Sequence, residues 1–232
     1  MPAHAYRLIV FDYDGTLVDS QHNIVAAMGE AFAACGLPEP PAAAVRRVVG
    51  LSLESALEEL LEEKVQSALP RVAQTYRDIF LAKRQRADFH EPLFADVRET
   101  LLGLNEPDVR LGIATGKAMR GLRASLEWHR LSGLFVTLQT ADRHPSKPHP
   151  AMLREAMAEA GAEAEETVVV GDTSFDMAMA RSENVAAIGV SYGYHGADDL
   201  RRAGAAAIID GMRELPTALA ALAPSGGDAR SR

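Results

Sequence analysis

The stretch Arg7-Leu8-Ile9-Val10-Phe11-Asp12-Tyr13-Asp14-Gly15-Thr16-Leu17-Val18-Asp19-Ser20 decides the fold. Leu8 to Phe11 is a short apolar run, rich in β-branched and aromatic residues, with a turn signal directly after it. That pattern reads as a strand buried on both faces, as in a parallel sheet. If the extended geometry continues through Asp12-Tyr13-Asp14, the carboxylates at i and i+2 face one spot. Gly15 then lets the chain turn away. Two carboxylates at one strand end repel each other unless a cation sits between them, and a hard divalent ion, most simply Mg²⁺, suits oxygen ligands. Asp-Gly after an apolar run is also an ordinary turn, so residues further along the chain must decide.

The 232 residues suffice for one domain or two small ones with a buried core. A hydrophobic content of 47% with 24% charged residues is that of a globular protein, and the formal net charge of −8 argues against nucleic-acid or membrane-surface partners. An acidic protein that handles anions needs a local cationic site. Cys35 is the sole cysteine, which excludes disulfides within the chain and thiolate zinc clusters. His4, His22 and His90 have no spaced partners that suggest zinc. No apolar run reaches membrane-spanning length and no basic-then-apolar leader opens the sequence, so a cytoplasmic location is expected.

Helical spacing from Asp19 to Cys35, with Asp19 or Ser20 as cap, gives way at Gly36-Leu37-Pro38. Helix-forming sequence then runs from about Ala42 to Arg86, interrupted at Gly50-Leu51-Ser52 and at Pro70. This block holds no convincing strand and is expected to be a helical bundle inserted after the first strand. From about Phe89 onward strands and helices alternate, with strands expected at 109–114, 135–140, 167–170, 186–190 and 206–209. Such alternation predicts an α/β fold with a doubly wound parallel sheet. The expected organisation is a core of residues 1–18 and 90–223, a helical cap of residues 19–89, and a frayed tail over 224–232.

Ligands of open parallel sheets bind outside the carboxyl ends of the strands. The residues that follow the strands are Asp12 and Asp14, then Thr115-Gly116-Lys117, then Asp142 and Lys147-Pro148, then Gly171-Asp172-Thr173-Ser174-Phe175-Asp176. Four strand ends thus bring carboxylates, a hydroxyl, amide donors and an ammonium to one edge, a set that suits a phosphate bridged to a metal. Each also has a structural reading. Thr115 can cap the next helix, Lys147 can be a solvated loop lysine, and Asp172 and Asp176 can complement a helix dipole. Lys117 reads as a solvated helix residue, and Trp128 and Tyr76 as packing residues.

These motifs, in this order, resemble the haloacid dehalogenase superfamily over nearly the whole chain, and most closely its phosphoglycolate phosphatase group with a small helical cap. The resemblance implies a Rossmann-like core and a Mg²⁺-dependent phosphatase acting on a small phosphorylated metabolite, phosphoglycolate foremost. It implies that Asp12 is the nucleophile that becomes an aspartyl phosphate, and that Asp14 is the general acid and then the base. Thr115 and the Gly116 amide would hold phosphoryl oxygens, and Lys147 would neutralise their charge. Asp12, the Asp14 backbone carbonyl and Asp172 would ligate Mg²⁺, with Asp176 acting from behind them or through a water. Tyr13 stands where relatives more often have Phe; its ring should pack and its hydroxyl should find a partner. The dehalogenases themselves lack a carboxylate at the position of Asp14 and need no metal, so Asp14 argues for phosphoryl transfer.

The cap residues Arg46, Arg47 and Ser52 are the candidates for contact with a second anionic group of the substrate; both arginines can equally be solvated on a helix face. The alternatives are a β-phosphoglucomutase-like phosphomutase or other sugar-phosphate phosphatase, and, from another class, a receiver-like signalling or binding module. A receiver carries its phosphorylated Asp after a later strand and has no inserted cap. The chain could act as a monomer or a homodimer.

Overall fold

The computed structural model describes residues 6–222, so the tail expected over 224–232 lies outside the described residues. Six parallel strands form one sheet: β1 (Leu8–Phe11), β2 (Arg110–Thr115), β3 (Phe135–Thr140), β4 (Thr167–Gly171), β5 (Ala186–Val190) and β6 (Ala207–Ile209). Their spatial order is β3-β2-β1-β4-β5-β6. The chain therefore leaves β1 toward β2 on one side and later returns to place β4 on the other. This reversal is the switch point at which ligands of doubly wound sheets bind.

Every residue of β1 is fully buried, because the strand lies mid-sheet with helices on both faces. Alternation sends Ile9 and Phe11 into one apolar cluster with Leu101, Leu122 and Leu219. Leu8 and Val10 go into the opposite cluster with Leu153, Met177 and Leu200. Each such side chain is worth roughly 1.5–3 kcal/mol when fully buried. The helices that supply these faces are α5 (Val97–Leu104), α6 (Met119–Trp128), α7 (Ala151–Ala160), α8 (Ser174–Ser182), α9 (Ala197–Ala203) and α10 (Leu215–Leu222).

Between β1 and α5 stand α1 (Gln21–Ala34), α2 (Ala42–Val48), α3 (Leu53–Leu60) and α4 (Leu69–Arg84). They share a third apolar cluster built on Met28, Phe32, Val45, Leu57 and Val72. Cys35 is buried in this cluster, as a small apolar residue would be. The chain enters and leaves the helices at one place: Val18 bridges Leu93, and the Asp19 amide donates to the Pro92 carbonyl at 2.8 Å. No helix of the described residues is long and apolar enough to cross a membrane.

Two local expectations are corrected. Ser20 takes the N-cap position of α1, but its side chain makes no cap hydrogen bond and instead lies 3.2 Å from the Tyr194 hydroxyl. Trp128 is not a packing residue, being 74% exposed at the last turn of α6.

We propose that residues 19–89 behave as a separate unit on the core. Leu57→Ala opens a cavity in the cap cluster and should cost about 2–5 kcal/mol locally. Hydrogen exchange should then speed up in α1 to α4 while β1, β2 and β4 keep their protection. An equal rise in the sheet would show that the two parts open together.

Candidate active site

Register sets the site. Phe11 pairs with Ile113 on one side and Val170 on the other, so the strand ends beyond them converge on Asp12. The Asp12 amide donates to the Val170 carbonyl at 2.9 Å, and its Oδ1 accepts from the Tyr13 amide at 2.7 Å. The loop then turns tightly, with the Leu17 and Val18 amides both donating to the Tyr13 carbonyl. Gly15 sits at φ +94°, and a Cβ there would lie 2.3 Å from Asp172 Oδ2. Only glycine fits.

Lys147 is buried with its Nζ 2.9 Å from Asp12 Oδ1 and 2.6 Å from Asp176 Oδ1. Asp176 Oδ2 accepts from the Thr173 amide and hydroxyl in a capping box at the start of α8. Both Asp176 oxygens are thus engaged, which suits a residue that orients Lys147 from behind. Asp172 Oδ1 accepts from the Thr16 hydroxyl at 2.7 Å and Oδ2 from the Tyr194 amide at 2.9 Å. Carboxylate oxygens of Asp12, Asp172 and Asp176 lie within 4.8 Å of one another, all buried.

Among the described residues the cluster holds three carboxylates and one ammonium, and the imbalance shows in their protonation. Burial pushes the Asp12 carboxyl up to about 7, against the pull of Lys147. Burial, then the neighbouring Asp12 and Asp176, hold Asp172 well above the usual carboxylate range. Burial works against the Lys147 ammonium, but Asp12 and Asp176 outweigh it and its pKa stands above the ordinary lysine value. Asp12 Oδ2 is buried with no hydrogen-bond donor among the described residues. Excess negative charge, all-oxygen donors and an acceptor lacking a donor fit a divalent cation.

Asp14 lies on the cap side of this cluster. Lys117 Nζ is 2.8 and 3.1 Å from its two oxygens and 3.4 Å from Glu91 Oε1. The Lys117 side chain is 9% exposed, so the expectation of a solvated lysine is corrected. Burial opposes its charge, yet Asp14 and Glu91 keep its pKa above the usual lysine value. Thr115, the last residue of β2, is buried and accepts from the Lys117 amide at 3.2 Å. The Tyr13 ring is fully buried, as the sequence predicts for a packing aromatic, and Lys117 Nζ lies 5.8 Å from its centroid.

The break between α2 and α3 presses on the core. A Cβ on Gly116 would meet the Leu51 carbonyl at 2.3 Å, and the Ser52 amide donates to Ser146 Oγ at 2.8 Å. Ser52 Oγ caps α3 by accepting from the Ser55 amide. Arg46 Nε donates to Gln21 Oε1 and ties α2 to α1, while Arg47 is exposed and its carbonyl lies 3.1 Å from His195 Nε2. A cavity of about 600 Å³ lies between cap and core, with Asp14, Gly116 and Lys117 among its lining residues; Arg46, Arg47 and Ser52 are not among them.

Sequence reasoning missed Thr16, Gly193 and Tyr194 around Asp172, and the pairing of Lys117 with Asp14 and Glu91. Gly193 is required because a Cβ there would sit 2.2 Å from Asp172 Cβ. The rule about polar residues after each strand, extended to β5, reaches Ser191 to Gly196 and would have found the Asp172 support. Glu91 carries no comparable signal.

A buried aspartate cluster at the switch point of a parallel sheet, roofed by an inserted helical cap, defines a class of hydrolases. Residues 9–190 match the family model described as haloacid dehalogenase-like hydrolase. The chain is 36% identical to a probable phosphatase, IndB, of Dickeya dadantii, over 93% of this chain and 94% of that one. It is 31% identical to a phosphoglycolate phosphatase of Pseudomonas syringae pv. tomato, over 90% of this chain and 78% of the relative. A solved haloacid dehalogenase-like hydrolase of Streptococcus pneumoniae superimposes with a TM-score of 0.80 at 25% identity, covering 92% of this chain and 98% of that one. The chain belongs to the haloacid dehalogenase-like hydrolase family.

The raised carboxyls have a consequence for stability. Between about pH 4, where an unfolded aspartate ionises, and about pH 7, the folded metal-free chain holds protons that the unfolded chain has lost. Stability of EDTA-treated protein should therefore fall as pH rises through that window. A divalent cation competes with those protons, so saturating Mg²⁺ should raise the melting temperature more at about pH 7.5 than at about pH 5. Thermal scans at both values check this, and a Mg²⁺ response that is equal or absent would separate the cluster from metal binding.

Proposed function

We propose that the protein is a Mg²⁺-dependent phosphatase that hydrolyses a small phosphomonoester through a phosphorylated Asp12. The observation that carries this reading is the buried Asp12–Lys147–Asp176 chain beside Asp172, with Asp14 set toward the cap cavity. The relatives' names as phosphatases support it.

In this reading Asp12, Asp172 and the Asp14 carbonyl would hold Mg²⁺, which would neutralise charge on the phosphoryl oxygens and keep Asp12 ionised. A carboxylate oxygen of Asp12 attacks phosphorus as the bond from phosphorus to the ester oxygen breaks. Asp14 gives its proton to that oxygen, and the alcohol leaves. Asp14, now a carboxylate, takes a proton from water as the water attacks the phosphoryl group, so inorganic phosphate departs and both residues are restored. Lys147, held between Asp12 and Asp176, balances the charge that moves through Asp12. Thr115 and the Gly116 amide hold phosphoryl oxygens at the end of β2. The cap loop at Gly50 and Leu51 limits the access of water until the alcohol has left.

Phosphate release from phosphoglycolate and other phosphomonoesters, measured with Mg²⁺ and with EDTA, tests the proposal. Turnover should need the metal. Asp12→Asn should abolish it, and Asp14→Asn should lower kcat by roughly 10²–10⁴-fold. Release without a bisphosphate primer separates a phosphatase from a phosphomutase. A folded protein that releases phosphate from no ester would sink the reading.

A further inference from the structure

The cavity between cap and core carries more information than its position. Its floor beside Asp14 is Gly116 and Lys117, and its walls include Met28, Val45, Val48, Leu51, Tyr76 and Phe80. Its volume of about 600 Å³ is in the range that encloses ligands well beyond a two-carbon acid. The cap side offers apolar surface from α1, α2 and α4, and the Tyr76 and Phe80 rings stand 5.7 Å apart at a 32° tilt.

The lining cations nearest Asp14 and the rings already have partners, and the remaining one, Arg120, stands at the solvent-exposed rim. Lys117 is held by Asp14 and Glu91, and Arg77 pairs with Glu54. Arg84 donates to the Gly121 carbonyl at 3.0 Å and lies over the Phe89 ring. A glycolate leaving group would bring its carboxylate next to Asp14, where the adjacent Lys117 is already shared by Asp14 and Glu91, and would leave most of the apolar wall wet. Burying an unpaired carboxylate is costly, whereas an apolar group gains by covering that wall.

We infer that the natural substrate is a phosphomonoester of a larger, mainly apolar, ring-bearing alcohol, whose ring packs on the cap face around Tyr76 and Phe80. This rests on the phosphatase reading and narrows it, setting the chain apart from a glycolate-selective enzyme. A flat ring suits this wall because aromatic side chains favour tilted or offset neighbours, and Phe80 already holds Tyr76 in such an arrangement.

The test compares esters of primary alcohols, so that the leaving oxygen stays alike: ethyl phosphate, phosphoglycolate and benzyl phosphate. With Mg²⁺, kcat/KM for benzyl phosphate should exceed that for phosphoglycolate by at least about tenfold. Phe80→Ala should lower kcat/KM for benzyl phosphate more than for ethyl phosphate. A preference for phosphoglycolate, or equal losses in the variant, would overturn the inference. Calorimetry on the native Mg²⁺-loaded protein keeps this separate from the chemistry. 2-Phenylethylphosphonate should bind more tightly than 3-phosphonopropionate, and the reverse order would overturn the inference. Absence of turnover with every ester would remove the phosphatase reading, and the order of the two phosphonates would still decide what the cavity prefers.

Discussion

The buried ion cluster at the carboxyl edge of the sheet is the constraint on which the rest of the site depends. Three carboxylates and one lysine cannot be taken out of water unless each finds partners, because an unpaired buried charge costs several kcal/mol. The chain meets this demand from separate strand ends. Asp12 follows β1, Asp172 follows β4, Asp176 opens α8, and Lys147 comes from the loop after β3. Asp176 is the keystone, since one oxygen takes Lys147 and the other takes both donors of Thr173. Its engagement fixes Lys147, and Lys147 in turn fixes Asp12 Oδ1. Asp12 Oδ2 is the one oxygen of that carboxylate left without a donor. The arrangement therefore has a direction: charge is balanced on the α8 side and in excess on the side that faces Asp172.

This explains why glycines stand where they do. Gly15 and Gly193 pass so near Asp172 that any side chain would collide with it, and Gly171 stands in the same relation to Asp176, whose Cγ would lie 2.5 Å from an added Cβ. The backbone itself closes around the carboxylates, excluding water and supplying the Tyr194 amide as a donor. Desolvation of this kind raises the carboxyl pKa values and strengthens every interaction with an incoming cation or phosphoryl group.

How much of this was legible in the sequence follows from the range of the interactions. The β1 run, the order of strands and helices, the inserted helices and the carboxylates after β1 and β4 depend on local pattern, and they are present as read. Lys117 is different. Its nearest partners are 103 and 26 residues away along the chain, and a lysine one residue past Thr115-Gly116 gives no local sign that two carboxylates await it. Ser20 looks like a helix cap by every local rule, yet its hydroxyl lies against a tyrosine 174 residues away. Trp128 has the size of a core residue and lies on the outward side of α6. Arg46 and Arg47 were reasonable anion ligands by charge alone. Helical phase turns one toward Gln21 and the other to solvent. In each case the missing term was a long-range contact or the phase of a helix against its neighbours.

Glu91 joins the cap to the chemistry in a way that neither part reveals alone. It lies on the segment that returns from the cap to the core, two residues before the Val18–Leu93 bridge. Its carboxylate accepts from Ser125 of α6 at 2.8 Å and faces Lys117, while its carbonyl lies 2.9 Å from His129 Nε2. The return segment is thus clamped to α6, and the same lysine that meets it holds Asp14. From the cap, the Gly50–Leu51 loop lies on Gly116, the residue beside Lys117. Glu91, the Gly50–Leu51 loop and Asp14 therefore converge on Gly116 and Lys117. In the proposed reading, a leaving group that fills the cavity touches this convergence directly, so occupation of the cap wall is coupled to the placement of Asp14. On that account, selectivity for the alcohol resides in how well it fills the space between the cap and Lys117, and a substrate too small for that wall would leave the acid less firmly set.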